Sequence, residues 1–168
     1  STTKTIHVVL SNPAVFTPFD VRDWTEFNNI ITVNVTGLGN YEYSLDGINY
    51  QDSNTFEGLE IGEYQVFVRD KNGCGVTKDD IYLLTYPKFF TPNNDGFNDK
   101  WKILFSKNEP HLEIKIFDRR GKMLKVLDTK NTGWDGIYNG KPLPADDYWF
   151  IVTRENGKEH RGHFTLKR

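Results

Sequence analysis

The sequence has very few residues that could build a covalent or cysteine-based framework. Its 168 residues include 1 cysteine and 1 methionine. A single cysteine, Cys74, can form neither an internal disulfide nor a cysteine-based metal site. It directly follows the turn-forming residues Asp-Lys-Asn-Gly. We therefore expect a small, buried thiol at this position rather than a nucleophile.

Long apolar runs are also missing. No stretch approaches the roughly 20 apolar residues that a membrane-spanning helix needs, and residues 1–10 lack the basic start and apolar core of a signal peptide. We expect a soluble chain that does not span a membrane and is either mature or the tail of a longer protein. Apolar residues still make up 37% of the sequence and aromatic residues 14%, which is enough for packed cores.

The common catalytic and nucleotide-binding motifs do not occur. The sequence has no HExxH, GxSxG, GxxxxGK[ST] or GxGxxG pattern. Two of its four histidines, His160 and His163, are three residues apart in a predicted strand. They therefore point to opposite faces and cannot easily share a metal. The sequence predicts a protein that is not an enzyme and needs no cofactor.

Charge is distributed unevenly along the chain. Residues 1–84 carry 5 basic and 12 acidic side chains, a net −7, whereas residues 85–168 carry 16 basic and 11 acidic, a net +5. This asymmetry predicts two domains, with a boundary near residues 85–88. A basic half with aromatic residues is one feature of nucleic-acid binders. Here the basic residues alternate with acidic ones, and most of Trp101, Trp134, Tyr148 and Trp149 are expected in the core, so we predict no nucleic-acid partner.

Apolar residues recur mainly with the period of two that is typical of strands with one buried face. Three such runs are Ile31–Val33–Val35, Tyr64–Val66–Val68 and Leu112–Ile114–Ile116. Gly- and Asn-rich turn sequences separate them. The pattern predicts an all-β fold of two tandem antiparallel β-sandwich, Ig-like domains, residues 1–84 and 85–168. The only weak helical candidate is residues 21–29.

Two hairpins are predicted in the second half. One joins residues 112–116 to residues 123–127 through Asp-Arg-Arg-Gly-Lys. The other joins residues 148–154 to residues 159–168 through Glu-Asn-Gly-Lys. Its Asn-Gly pair favours the positive φ angles of a type I′ turn.

The stretch FFTPNNDGFND, residues 89–99, has part of the spacing of a calcium loop. Asn93, Asp95 and Asp99 fall at alternate ligand positions, and a glycine follows Asp95. However, the first ligand position is Thr91, and no glutamate occupies the twelfth. Calcium at Asn93, Asp95 and Asp99 is therefore only an alternative. We favour tight turns in which Asn and Asp side chains bond backbone N–H groups, with Phe89, Phe90 and Phe97 holding the loop to the core.

A second alternative is a carbohydrate- or surface-binding module. Exposed aromatic rings on a β-sandwich can stack on sugars. Trp24, Tyr41 and Tyr50 are the candidates in the first half. This alternative remains open at the level of the sequence.

Four blocks of the second half resemble the gliding-motility-associated C-terminal domain, the type B sorting domain of the Bacteroidetes type IX secretion system. They are residues 86–101 (YPKFFTPNNDGFNDKW), 114–124, 133–152 and 162–168. One local departure is Asn94, since the loop of the family more often reads Asn-Gly-Asp-Gly. Residues 41–75 more loosely resemble the Ig-like or SprB-repeat-like modules of cell-surface adhesins.

The resemblance implies a folded address on a large secreted, gliding-motility adhesin-like protein. Such a protein crosses the outer membrane through the type IX translocon and is retained on the cell surface. Type B domains are thought to work with a PorP/SprF-like outer-membrane partner protein. The resemblance also implies structural roles for the family's motif residues, which here are Phe89, Phe90, Pro92, Asn93, Asp95, Gly96, Asn98, Asp99, Trp101, Gly133, Trp134, Asp135, Gly136 and Tyr148.

Recognition by a partner would use exposed basic or aromatic side chains, because these often dominate interfaces. Our candidates are Arg119, Arg120 and Lys122 in the first predicted hairpin turn, together with Lys167 and Arg168. The alternative for Lys167 and Arg168 is a charged edge strand that resists aggregation.

Overall fold

The computed structural model describes residues 10–128, 130 and 133–168. Within these residues the regular structure consists of β-strands and one short 3-10 helix, Ser106–Asn108. The all-β prediction is therefore confirmed. The chain divides into two compact units, Ser1–Leu83 and Leu84–Arg168.

The described part of the first unit forms short antiparallel sheets. Strands β2, β3 and β6 make one three-stranded sheet, β5, β7 and β8 make another, and β1 pairs with β4. The strands are β1 Val15–Phe16, β2 Asp20–Arg22, β3 Asn29–Thr32, β4 Val35–Thr36, β5 Tyr41–Ser44, β6 Thr55–Leu59, β7 Gly62–Asp70 and β8 Val76–Leu83.

The core of the first unit follows the alternation in the sequence. Ile31, Val33, Val66 and Val68 are fully buried in one cluster. Their neighbours in sequence on β3 and β7 face outward or are partly exposed. The period of two therefore identified the buried face correctly on these strands.

The weak helical candidate, residues 21–29, is wrong. β2 occupies its start and β3 begins at its end, with a bend between them. The buried Asn29 side chain closes this bend, since its Nδ2 donates to the carbonyls of Thr25 and Leu59 and its Oδ1 accepts from the Thr25 N–H and hydroxyl. An Asn side chain that competes for backbone hydrogen bonds favours a loop over a helix.

The expectation of a buried thiol is also wrong, because Cys74 is exposed. It lies in the turn between β7 and β8. Its thiol contacts the Ser11 carbonyl oxygen at 3.3 Å. The turn projects from the sheet, so a small apolar side chain there has no core to enter.

The second unit is built on one sheet with the strand order β11–β10–β14–β15–β9. All pairings in this sheet are antiparallel except β15 with β9, which is parallel and aligns Leu166 with Phe90. The strands are β9 Phe89–Phe90, β10 Glu113–Phe117, β11 Met123–Asp128, β12 Ile137–Tyr138, β13 Lys141–Pro142, β14 Asp146–Thr153 and β15 Glu159–Leu166.

One face of this sheet carries the core. Its centre is Phe164, whose ring stacks on Trp101 with centroids 4.0 Å apart and an interplanar angle of 17°. Phe90, Trp134 and Phe150 also lie within ring-contact distance of Phe164. All five side chains are fully buried. Aromatic residues bury large apolar areas, so this cluster dominates the packing of the unit.

The type I′ turn occurs at a different Asn-Gly pair from the one predicted. Between β14 and β15 only Gly157 has a positive φ, and the Arg154 N–H donates to the Lys158 carbonyl. That connection is a three-residue loop with a bulge. Asn139 and Gly140, between β12 and β13, both have positive φ, 50° and 75°. Their two-residue loop is short enough to require the type I′ geometry.

We expect the stability of the first unit to fall in acid partly through Asp70. The Ser11 hydroxyl is the main cause that lowers the pKa of Asp70 to about 2, and the N–H groups of Asn72 and Asn40 add to it. Because the folded pKa lies below the unfolded value of about 3.9, the ionised carboxylate stabilises the fold above that pH. This contribution is lost as the pH falls towards the folded pKa.

The measurement is thermal unfolding at a series of pH values from 6 down to about 2. The NMR signals of β7 report the unfolding of the first unit. Asp70→Asn should lower the Tm at pH 6, and the difference from the native chain should shrink in acid. Asp79→Asn, an exposed site on β8, is the control. An Asp70→Asn difference that is constant with pH would contradict this assignment.

Gly136 and Gly140 offer a matched pair for testing the core of the second unit. Their φ angles are 77° and 75°, so alanine meets the same backbone strain at both. A Cβ at Gly136 would lie 2.5 Å from the buried Leu166 Cδ1, whereas nothing lies within 4 Å of one at Gly140. We expect Gly136→Ala to lower the free energy of unfolding by about 1–3 kcal/mol more than Gly140→Ala does. Denaturant titration measures this difference, and equal losses would show that the core accommodates the extra methyl group.

Candidate recognition surface

The loop of residues 91–99 is organised by the carboxylate of Asp99. Its Oδ1 accepts from the N–H groups of Asn93 at 3.0 Å and Asn94 at 2.6 Å, and its Oδ2 accepts from the N–H of Gly96 at 2.8 Å. Asp95 makes a smaller turn of the same kind, in which Oδ1 accepts from the Phe97 N–H at 2.8 Å. The pKa of Asp95 is lowered, mainly because of this bond. The loop is thus a set of tight turns that its own side chains close.

This geometry is unfavourable for calcium. The oxygens of Asp99 already face backbone N–H donors, which a cation would have to displace. Among the described residues, no group of three or more His, Cys, Asp or Glu side chains is arranged to hold a metal ion. The residues of the alternative site, Asn93, Asp95 and Asp99, hydrogen-bond to one another and to the loop backbone instead.

The departure at Asn94 from the family's glycine has a structural explanation. Asn94 has φ 62°, in the left-handed region. Glycine adopts this conformation without steric cost, and asparagine tolerates it better than most residues. Asn98, at φ 51°, uses the same property.

The aromatic residues of this loop behave differently from one another. Phe90 is fully buried, but Phe97 is 77% exposed and Phe89 is 42% exposed. The expectation that all three hold the loop to the core is therefore wrong for Phe97 and only partly met by Phe89. Pairing of β9 with β15 directs alternate side chains to opposite faces, so only Phe90 enters the core.

Trp101 and Trp134 join the loop to the Gly-Trp-Asp-Gly segment. Their backbones form a reciprocal bridge, with N···O distances of 2.9 and 2.8 Å. Each indole also donates, Trp101 to the Pro87 carbonyl at 2.9 Å and Trp134 to the Ile137 carbonyl at 3.2 Å. These rings are therefore structural and take no part in an exposed surface.

The remaining motif residues shape turns and the core. A Cβ at Gly133 would lie 2.9 Å from the Trp101 carbonyl oxygen, so only glycine allows this close approach. Asp135 accepts from the Ile137 N–H at 3.1 Å. Tyr148 is buried and its hydroxyl donates to the Pro144 carbonyl at 2.9 Å. Pro92 is partly buried in the loop that Asp99 closes.

The five basic candidates lie at one end of the sheet. Phe117, the last residue of β10, pairs with Trp149, and Asp146, the first residue of β14, pairs with Leu166 at the end of β15. The turn after β10 and the residues after β15 therefore project from the same end. The sheet topology brings together Arg119, Arg120, Lys122, Lys167 and Arg168.

Three of these five side chains are engaged by the domain itself. Lys167 Nζ lies 4.0 Å from the centre of the Phe89 ring, Lys122 Nζ lies 4.7 Å from that of Tyr138 and Arg168 Nε donates to the Leu143 carbonyl at 2.9 Å. Arg119 and Arg120 are more open. The Arg119 side chain is 69% exposed and reaches Asp146 only at 3.9 Å.

The aromatic candidates for sugar stacking are used within the first unit. The Tyr41 hydroxyl donates to the Asn12 carbonyl at 2.9 Å, and the ring packs against the core. The Arg69 guanidinium covers the Tyr50 ring, 3.8 Å from its centre. Trp24 is partly buried at a bend with φ 79°.

Sequence reasoning missed a depression on the outer face of the second sheet. It has a volume of about 640 Å³ and lies around Trp149, with Phe117, Ile151, Arg119, Arg161 and His163 among its lining residues. Trp149 is 43% exposed. The only signal in the sequence is that Tyr148–Val152 is apolar at every position, so both faces of this strand carry apolar side chains.

No helix among the described residues has the length and apolarity needed to cross a membrane. The second unit is thus an all-β module in which Asp99, Trp101, Gly133 and Trp134 form turns and core, whereas Arg119, Arg120 and Trp149 are exposed. This arrangement is suited to recognition of a folded surface by another protein.

Residues 84–166 match the family described as CHU_C, the type IX secretion signal domain. This part of the chain belongs to that family. Domains of this family are type IX secretion signals. No curated protein matches the chain.

Three solved structures are similar at a low level. The BSP domain of a biofilm-associated protein has 11% identity and a TM-score of 0.32, and the match covers 90% of this chain and 29% of that one. Dimeric latent PorU from Porphyromonas gingivalis has 12% identity and a TM-score of 0.32, with 94% and 20% covered. The fibronectin(III)-like modules of Clostridium thermocellum CbhA have 10% identity and a TM-score of 0.29, with 90% and 93% covered. The chain therefore spans less than a third of the first two.

We expect the Asp99 carboxylate to contribute more to the free energy of unfolding than the Asp95 carboxylate does. Asp99→Asn leaves one acceptor oxygen for three backbone N–H groups, whereas Asp95→Asn keeps an acceptor for the Phe97 N–H. Asp99→Asn should lower the free energy of unfolding by about 1–2 kcal/mol, and Asp95→Asn by less. Denaturant titration measures both, and hydrogen exchange at Asn94 and Gly96 should accelerate in Asp99→Asn.

The same samples test the calcium alternative. A ligand that binds the folded state raises its stability. Because we expect no calcium at this loop, added calcium should leave the Tm of the native chain unchanged. A calcium-dependent rise in Tm that disappears in Asp99→Asn would contradict the turn assignment.

Proposed function

We propose that residues 84–168 are a folded address that directs the protein carrying them through the type IX translocon and supports its retention outside the outer membrane. The family match over residues 84–166 carries this proposal. The compactness of Leu84–Arg168, with its own aromatic core, supports recognition as a folded surface rather than as a linear peptide. No bond chemistry is needed for this role, and we propose that the chain is not an enzyme.

The partner in this proposal is a PorP/SprF-like outer-membrane protein that presents an acidic surface. The basic end of the sheet favours such a partner, with Arg119 and Arg120 as its most open side chains. Electrostatic complementarity would speed the encounter and fix the orientation of the domain more than it would add affinity. Lys122, Lys167 and Arg168 would contribute to the positive electrostatic potential at this end of the sheet.

The first unit is, in this proposal, an Ig-like adhesin-type module of a gliding-motility adhesin-like protein. Its separate core and its net charge of −7 over residues 1–84, opposite in sign to that of the second half, are consistent with an independent role. A sugar-binding role is less well supported, because the rings of Tyr41 and Tyr50 are already packed or covered within the unit.

An export assay in a host with a type IX system tests the proposal. The fusion protein consists of a signal peptide, a fluorescent reporter and then the full chain. We expect external protease to reach the reporter. The same reporter and signal peptide without the chain should stay in the periplasm. The double variant Arg119→Glu with Arg120→Glu should lower the exposed fraction, because it reverses the charge of the open basic side chains.

Two controls separate recognition from folding. Lys102→Glu with Lys125→Glu makes the same change in charge at exposed sites outside the β10–β11 turn. Circular dichroism checks that both double variants fold. A native fusion that stays protected from protease in the type IX host would refute the address, and equal export of both double variants would refute the role of Arg119 and Arg120.

A further inference from the structure

The outer face of the second sheet carries an apolar row that the domain itself leaves open. Cross-strand pairing aligns Met123, Phe117, Trp149 and His163 on four consecutive strands. Met123 is 50% exposed and Trp149 is 43% exposed. Exposed apolar side chains that are contiguous and rimmed by polar groups mark interaction sites more often than scattered ones do.

The floor of the depression at the middle of this row is held in place by the close packing of Gly162. A Cβ there would lie 2.7 Å from Phe150 Cζ and 2.8 Å from the Tyr86 hydroxyl. Gly162 keeps β15 close to the inner core while its neighbours Arg161 and His163 line the outer face. The floor of this recess of about 640 Å³ is therefore formed by strands, and the β10–β11 turn adds Asp118, Arg119 and Gly121 to its lining.

The rim of the recess is cationic. Arg119 and Arg161 both line it, with side chains 69% and 72% exposed. Arg161 pairs with Glu159 at 3.0 Å on the solvent side, and exposed pairs of this kind exchange partners at little cost. The carboxylate of Asp118 also lines the recess, but its Oδ1 accepts from the N–H groups of Arg120 and Lys122, both at 2.9 Å.

We propose that this recess docks an acidic segment of a protein partner, with a large apolar side chain on Trp149 and flanking carboxylates on Arg119 and Arg161. Trp and Arg side chains are the residues most often found at the energetic centres of protein interfaces. Guanidinium groups bind carboxylates with two parallel hydrogen bonds, which adds geometric specificity. A neutral sugar would need acceptors as well as donors. Asp118 is the acidic residue among the described lining residues, and its Oδ1 already accepts from the backbone.

This inference rests on the proposed function and names the part of the address that a secretion partner contacts. In this inference the main contact with the partner lies on the outer face of the sheet, whereas the proposed function placed it at the basic end. Arg119 is common to both, since it stands where the β10–β11 turn meets the recess.

A binding titration tests the chemistry of the occupant. The probe is the capped peptide Gly-Asp-Phe-Asp-Gly, added to the ¹⁵N-labelled full chain while the indole signal of Trp149 is followed by NMR and assigned from its loss in Trp149→Phe. We expect this signal to move, and the affinity to exceed that of the neutral peptide Gly-Asn-Phe-Asn-Gly by at least about tenfold, as expected for charge-assisted contacts.

Matched variants locate the contact. Arg119→Gln with Arg161→Gln should weaken binding of the acidic peptide about tenfold, whereas Lys102→Gln with Lys125→Gln, which makes the same change in charge elsewhere, should leave it unchanged. An unmoved Trp149 signal, equal affinity for the neutral peptide or a preference for oligogalacturonate, an acidic sugar polymer, would each overturn the proposal.

The export assay keeps the two proposals separate. Trp149→Ala in the full chain should lose surface delivery of the reporter, while Phe27→Ala, another exposed aromatic side chain, should be delivered normally. Folding of both variants is checked from their amide spectra. If the native chain fails to export, the proposed function is wrong; if the native chain and folded Trp149→Ala export equally, the docking surface is wrong.

Discussion

The reciprocal backbone bridge between Trp101 and Trp134 is the interaction on which the rest of the second unit depends. It fixes two chain segments that lie far apart in sequence, and both indoles then meet Phe164 on strand β15. The two indole N–H groups are satisfied by backbone carbonyls, so burial of the rings leaves no unmet donor. Burying a polar group without a partner would cost several times more than the bond contributes. One face of the sheet thereby carries a buried aromatic core.

Aspartate side chains organise the turns in both units. Asp46, Asp99 and Asp118 each accept from two or more backbone N–H groups within a few residues. The pKa of Asp46 and that of Asp118 are lowered, chiefly by the N–H of Asn49 and that of Lys122, because these bonds favour the ionised carboxylate. Asp99, a calcium-ligand candidate in the sequence, is thus engaged in holding the backbone.

The two faces of the second sheet divide stability from recognition. The inner face holds Phe90, Phe150 and Phe164 out of water, whereas Trp149 stands on the outer face next to Arg119 and Arg161. A strand that is apolar on both faces is expected when a second layer covers it. Here the described residues of the second unit provide that layer on the inner side, and the proposed partner would provide it on the other. This division gives the domain a buried face that stabilises it and an open face for the proposed contact.

The sequence by itself determined the fold class, most strands and the family. Alternation at Ile31–Val33 and Ile114–Ile116 identified buried faces because side chains alternate across any strand. The Asn-Asp-Gly loop was correctly predicted as a set of turns because Asx side chains bond to backbone only a few residues away. Structural features that depend on residues close together in the chain can therefore be predicted from the sequence.

Only the tertiary structure decided which apolar residues are left outside. Phe97 is exposed in the loop that Asp99 closes, whereas Phe90 is buried. The exposure of Trp149 follows from how β14 pairs with β10 and β15. The Asn-Gly pairs at Asn139 and Asn156 differ in turn type because their loops close over different lengths. The gathering of Arg119 with Arg161 at one recess likewise depends on strand order. Pairing between distant segments sets which side chains meet. A sequence pattern with a period of two limits the register of a strand but does not identify its partner strand.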